Sequence, residues 1–134
     1  MMLTDPQDIE ISHQQISAPV IRGDVEANIR AVMEMRGGPE ALVVKRGSSG
    51  ATVHLRSGET IVAPGFPVDV VNVLGAGDAF AAGLIYGRQK GWDWLKSARH
   101  GNACGAIVVT RQGCANSMAS LAEVSSFVSE RGGY

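Results

Sequence analysis

The sequence is short of almost every feature that would assign it to a special environment. It lacks a charge imbalance: 12 Lys and Arg stand against 13 Asp and Glu, for a formal net charge of −1. Nothing in that balance favours nucleic acid or an anionic membrane surface as a partner. It lacks any apolar run near the roughly 18 residues that suggest a membrane span. The first residues, MMLTDPQDIE, have neither a basic start nor an apolar core, so no secretory signal is read there. Cysteine is scarce: Cys104 and Cys114 are the two, which fits a reduced, cytoplasmic chain better than a disulfide scaffold. There is no internal repeat, low-complexity tract or charge block. What is present is a hydrophobic fraction of 45% over 134 residues, enough to bury one core and too short for two ordinary domains.

Periodicity supplies the elements. Asp5-Pro6 offers a possible helix start, because proline is tolerated in the first helical position. Asp24 is a stronger N-cap; after it Val25, Ile29, Val32 and Met33 recur at helical spacing until Gly37-Gly38-Pro39. Ala41 to Lys45 reads as a buried strand. Ala51, Val53 and Leu55 alternate with polar residues, and Ser57-Gly58 turns that strand into Thr60–Ala63. The β-branched run Val68 to Val73 predicts a further strand.

Three helices are expected after it. The first spans about Gly77 to Gln89, with Ala79, Gly83 and Gly87 on one small-residue face suited to close packing. The second spans about Asp93 to Val109, with Leu95, Ala98, Asn102, Ala106 and Val109 in line. The third begins at Ser120, where Ser120-x-x-Glu123 is a capping box, and turns Leu121, Val124, Phe127 and Val128 inward. The result is an α/β chain with few strands for a whole domain of that class, which suggests part of a larger fold.

The chemistry gathers at Asn72-Val73-Leu74-Gly75-Ala76-Gly77-Asp78. An apolar run ends in a glycine turn, and a helix begins. The first amides of a helix have no intrahelical partner, and the dipole adds about half a positive charge there, so the junction suits a phosphate. Asp78 at its rim could accept the proton of an attacking alcohol while the amides steady the charge in transit. The simpler alternative is that Asp78 stabilises the first turn through the dipole alone, and G-A-G-D by itself does not exclude it. Two other phosphate motifs fail. The Walker pattern G-x-x-x-x-G-K-S/T is absent. The dinucleotide fingerprint starts at Gly75-Ala76-Gly77 but meets Phe80 where its third glycine belongs, and no acidic residue follows at the ribose-binding distance.

Other candidates carry plainer alternatives. Lys45-Arg46-Gly47-Ser48-Ser49-Gly50 is either an ordinary turn or a place where Lys45 and free amides meet a nucleotide. Asn102 on an apolar helix face is either a satisfied buried amide or a contact to a base or ribose. His100 and Cys104 are one helical turn apart, but no third ligand is evident, so no metal site is expected. His13 and His54 have no partners at a recognisable spacing. Trp92 and Trp94 fit packing better than a sugar platform, and Arg22, Arg30 and Arg36 fit a solvated face. Cys114 has only Arg111 nearby to activate it.

Taken together these stretches resemble the C-terminal half of a PfkB (ribokinase-like) carbohydrate kinase. Asn72 to Ile85, NVLGAGDAFAAGLI, follows the family's second signature throughout. The resemblance implies that Asp78 is the catalytic base and that Gly75, Ala76 and Gly77 form the anion hole. It implies nucleotide contacts from the turn Lys45–Gly50, including Gly47, from Asn102 in Gly101–Ala106, and from the loop Thr110–Ala115 with Gly113 and Cys114. ATP and Mg2+ are the implied cofactors. The stretch before the signature, PGFPVDVVNVLGAGDAF, and NACGAIVVTRQGCA after it are similar to the branch that phosphorylates 5-dehydro-2-deoxygluconate in inositol catabolism. Many members carry Asp-Thr-Thr where Asn72-Val73-Leu74 stand, and that departure weakens the case for a monovalent-cation site.

The expected fold is therefore the C-terminal part of a three-layer α/β/α ribokinase-like domain, without the lid and most of the sugar site. Residues 1–134 form one partial domain: about 1–40 a helical lead-in, 41–134 the nucleotide and anion-hole region. The expected partners are ATP and a small sugar or sugar acid, with no nucleic acid and no membrane. Two alternatives remain: a catalytically incomplete nucleotide-binding or packing module, and a dinucleotide-binding domain. Strands deprived of neighbours leave an apolar edge, so self-association or pairing with an N-terminal half is expected, and the chain alone is expected to be inactive.

Overall fold

The computed structural model describes residues 2–4, 24–113 and 115–134. The possible helix start at Asp5-Pro6, and with it His13, Arg22 and Cys114, lie outside the described residues. Eight elements follow in order. They are β1 (Met2–Thr4), α1 (Val25–Glu34), β2 (Ala41–Lys45), β3 (Gly50–Leu55), β4 (Thr60–Pro64), α2 (Ala76–Gln89), α3 (Trp94–Val109) and α4 (Leu121–Ser129).

Four strands form one sheet in the order β1-β2-β3-β4. β2, β3 and β4 make an antiparallel meander, with Val43 opposite Val53 and Val53 opposite Ile61. β1 adds to β2 in parallel, Leu3 opposite Val44. No strand was expected before residue 40; three residues are too few to show a period. β2 is apolar on consecutive positions because both its faces are covered. Val43 faces α2 and α3 together with Ala51, Val53, Ala63, Phe80, Leu84 and Ala98. Leu42 and Val44 face the other way, onto Ile29 and Val32 of α1. Helices thus lie on both sides of the sheet, the expected three layers. Leu42, Val44 and Val53 are fully buried, each contributing about 1.5–3 kcal/mol of burial free energy.

Caps set the helix ends. The Asp24 side chain accepts from the Glu26 amide, and Asp93 accepts from that of Lys96. At α4 the capping box is complete: Ser120 Oγ accepts from the Glu123 amide, and Glu123 Oε2 accepts from the Ser120 amide. α4 packs Val124 and Val128 on Phe66, Ala103 and Ile107, and Phe127 meets Phe66 edge-on at 5.4 Å. Leu121 is 53% exposed, contrary to expectation, because it opens the helix at its solvent side.

Two further expectations are corrected. Val68–Val73 is not a strand. Among the described residues the amides of this segment make backbone bonds only at Val71 and Asn72, both to the Val109 carbonyl, at 2.7 and 3.1 Å. A β-branched run becomes a strand only beside a neighbour, and none of the described strands offers one. On α3 the inward face is Ser97, Ala98, Gly101, Asn102 and Gly105, while Leu95 is 44% exposed. The cause is the close approach of α2. A Cβ on Gly83 would lie 2.9 Å from the Gly101 Cα, and one on Gly87 would lie 2.9 Å from the Ser97 Cα. At that separation only small residues fit between the axes.

Candidate functional site

The glycine turn before α2 is built as expected of an open helix mouth. Gly75 is the N-cap in the left-handed region, φ 84°, which glycine adopts without steric cost. It contributes no side-chain cap, unlike Asp24, Asp93 and Ser120 on the other three helices. The turn is held from outside the helix: the Leu74 amide donates to Asn72 Oδ1 at 3.0 Å, and the Ala76 amide donates to the Val73 carbonyl at 3.3 Å. Ala76 therefore does not present a free donor, as the sequence had suggested. The amides of Gly75, Gly77 and Asp78 have no partner among the described residues. Asp78 thus takes the place of Ala76 in the open set.

Lys45 completes this mouth. It ends β2, and its Nζ lies so close to Gly77 that a Cβ there would be 2.8 Å from it. No carboxylate pairs with Lys45 among the described salt bridges. An ammonium, free amides and the positive end of a helix dipole share one spot, which is an unfavourable grouping until an anion joins it. Asp78 is exposed at the rim, free to meet a solute. Chemically, the arrangement can hold a phosphate-sized anion and accept a proton beside it.

The turn after β2 is tight, a single 3-10 turn over Gly47–Ser49 with the Arg46 amide donating to the Gly50 carbonyl at 2.8 Å. Gly47 and Gly50 both have positive φ, 55° and 96°. A Cβ on Gly50 would strike the Ala63 carbonyl at 2.2 Å, so glycine is required there. Gly47, Ser48 and Ser49 remain exposed.

Asn102 takes the satisfied-amide alternative. It is 8% exposed, and its Nδ2 donates to the Ala63 and Pro64 carbonyls at 2.9 and 3.0 Å. Both hydrogens are committed to holding the end of β4 against α3. Only Oδ1 is left for any other contact. Gly113 has a φ of 120° in the exposed loop after α3, where a Cβ would press on Ser117 Oγ at 2.8 Å. That loop is fastened by Arg111, whose Nη1 donates to the Ser117 carbonyl and whose Nη2 donates to Glu123 Oε1 at 2.6 Å. The Ser120 amide, Arg111 and the Ser120 hydroxyl together pull the Glu123 carboxyl down to about 2.

The residues not singled out for chemistry find structural partners. His100 Nδ1 meets the Tyr134 hydroxyl at 2.7 Å, and its ring stacks on Tyr86. Burial lowers its pKa and pushes the Cys104 thiol up to about 11, which disfavours the charged form of each. No group of three possible metal ligands occurs among the described residues. Trp92 packs with Tyr86, His100 and Tyr134, and Trp94 lies against the core under α2. Phe80, where a dinucleotide fingerprint needs glycine, is buried at 5% exposure. Sequence reasoning missed Arg99, which donates to the Pro64, Gly65 and Gly133 carbonyls and stacks on Phe66. Nothing in its local sequence signals those distant partners. Among the described residues no helix is long and apolar enough to cross a membrane.

Comparison with known proteins agrees with this fold. The sequence profile described as pfkB family carbohydrate kinase matches residues 9–121. The 5-dehydro-2-deoxygluconokinase of Geobacillus kaustophilus is 36% identical over 89 residues, 66% of this chain and 27% of that protein. The ATP-dependent ribose-1-phosphate kinase of Halopiger xanaduensis is 46% identical over 90 residues, 67% of this chain and 30% of that one. Among solved structures, a putative ribokinase II from E. coli, in complex with ATP and Mg2+, superposes with a TM-score of 0.74 at 33% identity. It covers 82% of this chain and 35% of its own. The chain thus spans less than a third of the length of the curated relatives it matches. With 113 consecutive positions matched by the profile (9 through 121 inclusive), the chain belongs to the pfkB family of carbohydrate kinases.

Proposed function

We propose that this chain provides the phosphate-handling half of an ATP-dependent kinase acting on a hydroxyl of a sugar or sugar acid, 5-dehydro-2-deoxygluconate being the preferred acceptor. The observation that carries the reading is the convergence of Lys45 Nζ with the free amides of Gly77 and Asp78, beside the exposed Asp78 carboxylate. The acceptor's identity rests on the relatives' names alone, and inositol catabolism follows from it.

Each group has one task. ATP, when bound, supplies a transferable phosphoryl group. The amides at Gly77 and Asp78 and the Lys45 ammonium hold the negative charge that builds on it. Asp78 takes the proton from the attacking hydroxyl. The exposed turn Gly47–Ser49 lies on the nucleotide's side, with Gly113 in the loop beyond α3 and the Oδ1 of Asn102 as further contacts; Cys114 is proposed as a contact from the sequence alone. Mg2+ fits as an ion carried on the ATP phosphates, since such ions keep few protein ligands.

Alone, the chain binds nucleotide and transfers nothing, because the groups assembled here serve the phosphoryl donor. It self-associates or pairs with a chain that carries the acceptor side. The test is phosphorylation of a panel of sugar acids by the reconstituted enzyme. Asp78→Asn is expected to abolish turnover and leave ATP affinity near the parent value. Turnover that survives the substitution removes Asp78 from the mechanism, and protection of the fold by NAD but not by ATP removes the kinase reading.

A further inference from the structure

Arg99 is a partly buried cation that no acid accompanies among the described salt bridges. Its Nη1 donates to the Pro64 and Gly65 carbonyls at 2.7 and 3.2 Å, and its Nη2 donates to the Gly133 carbonyl at 3.2 Å. The guanidinium lies over the Phe66 ring, 3.9 Å from its centroid, and Phe66 is fixed in the core beneath α4. A charge drawn partly out of water towards neutral partners costs free energy that an apolar side chain would not. Packing alone therefore does not account for an arginine at this place.

What the guanidinium grips is the support of the turn after β2. The Pro64 carbonyl and the Gly65 amide are the two ends of one planar peptide group. Arg99, with Asn102, holds the carbonyl end. The amide end donates to the Ser49 carbonyl at 3.2 Å. A Cβ on Gly65 would lie 2.2 Å from the Ser48 carbonyl oxygen, and one on Gly50 would lie 2.4 Å from the Gly65 nitrogen. Backbone rests on backbone there, with no side chain between to absorb a shift. Pro64, opposite Gly50, is the last residue of β4 in the ladder, and the Gly65 carbonyl receives no backbone amide among the described residues. Of the two side chains of α3, only Arg99 reaches Gly65.

We propose that Arg99 is a positioning residue for the nucleotide: by gripping the Pro64–Gly65 peptide it sets the place of the exposed Gly47–Ser49 turn, and nucleotide affinity depends on it through that turn. The inference rests on the kinase reading above, in which the turn meets the nucleotide while Lys45 and the amides at Gly77 and Asp78 meet the phosphates. Those phosphate groups stand outside the Arg99 network, since Lys45 is fixed by its ladder with Ala51 and the two amides belong to α2.

Two measurements on the 134-residue protein test it. Without ligand, hydrogen exchange of the Gly65 amide is expected to quicken in Arg99→Met, while the amides of Leu42 to Val44 keep the parent's rate. With ligand, titration calorimetry is expected to show ATP held about tenfold more weakly by Arg99→Met, as when a supporting contact is removed from other sites. Inorganic triphosphate binds that variant as it binds the parent. Arg99→Lys keeps the charge and loses the planar fork, and its ATP affinity falls between the two. Arg131→Met removes a guanidinium that stacks on Phe127 and donates to its carbonyl, and it alters neither measurement. Parent-like exchange at Gly65 in Arg99→Met overturns the proposal. So does unaltered ATP affinity, and so does an equal loss of ATP and triphosphate, which a general loosening of the fold would give. A parent protein that binds neither ligand sinks the nucleotide reading instead; quickened exchange at Gly65 then still upholds the grip of Arg99 on the turn, and unchanged exchange overturns it.

Discussion

The Lys45 ammonium occupies the space beside Gly77 that a methyl group would claim, with 2.8 Å between Nζ and the position of a Cβ. The contact joins the end of a strand to the first turn of a helix far along the chain. It gives Gly77 a reason to be glycine that does not involve its backbone, since its φ is not among the positive ones.

Gly77→Ala therefore separates folding from ligand binding. The obstacle is the tip of a flexible side chain, which can swing aside, and alanine favours a helix over glycine by up to about 1 kcal/mol. The melting temperature is expected to equal or slightly exceed that of the parent. Affinity for ATP, read by titration calorimetry, falls about tenfold, as for one lost charge-assisted contact. Lys45→Met gives the same loss of affinity. A variant that binds ATP normally contradicts the placement of the ammonium at the phosphate.

Gly83→Ala has the opposite character. The new methyl would meet the Gly101 Cα at 2.9 Å and the Cys104 Sγ at 2.7 Å, and the backbone of α3 cannot step away without opening the helix pair. Overpacking of this kind costs about 1–3 kcal/mol. Urea unfolding is expected to shift to a lower midpoint with an unchanged slope.

Asn102→Asp tests whether that side chain is a clamp. It replaces the donor to Ala63 and Pro64 with a second acceptor, setting a carboxylate against two carbonyl oxygens, of which that of Pro64 keeps its bond from Arg99. The expected loss is about 1–3 kcal/mol in the same unfolding experiment. An unaltered midpoint with weakened ATP binding would make the residue a nucleotide contact instead.

The pH dependence on the acid side belongs in part to Glu123. Its carboxyl is lowered from 4.5 to about 2 by the Ser120 amide, Arg111 and the Ser120 hydroxyl. A group whose folded pKa is depressed stabilises fully above its unfolded value, and that contribution fades as pH falls through the folded one. The parent protein is expected to lose stability between about pH 4.5 and pH 2 more steeply than Glu123→Gln does. Melting temperatures across that range are the measurement; parallel curves would refute the assignment.

The elements that were legible in the sequence are those whose causes are local. Asp24 and the Ser120–Glu123 box announce their helices because a cap is satisfied within three residues. The meander from Ala41 to Pro64 follows from alternation and from glycine at its turns. The glycine turn before Asp78 was legible as an open helix mouth for the same reason, although the Ala76 amide turns back to Val73. What could not be read depends on partners elsewhere. Val68–Val73 has strand composition and no strand beside it. Leu95 turns outward and Ser97 inward because α2 comes too near for a large residue. Lys45 reaches Gly77, and Arg99 reaches Gly133, across separations for which no short pattern exists.

The amide of Asn102 and the guanidinium of Arg99 also decide in which direction the sheet can grow. Between them they take up the carbonyls of Ala63, Pro64 and Gly65, so a foreign strand laid beside β4 would find the edge acceptor at Pro64 already engaged. Lateral extension past that rim is discouraged, a guard against fibril-like stacking built from two side chains of a neighbouring helix. The opposite border of the sheet is formed by Met2–Thr4.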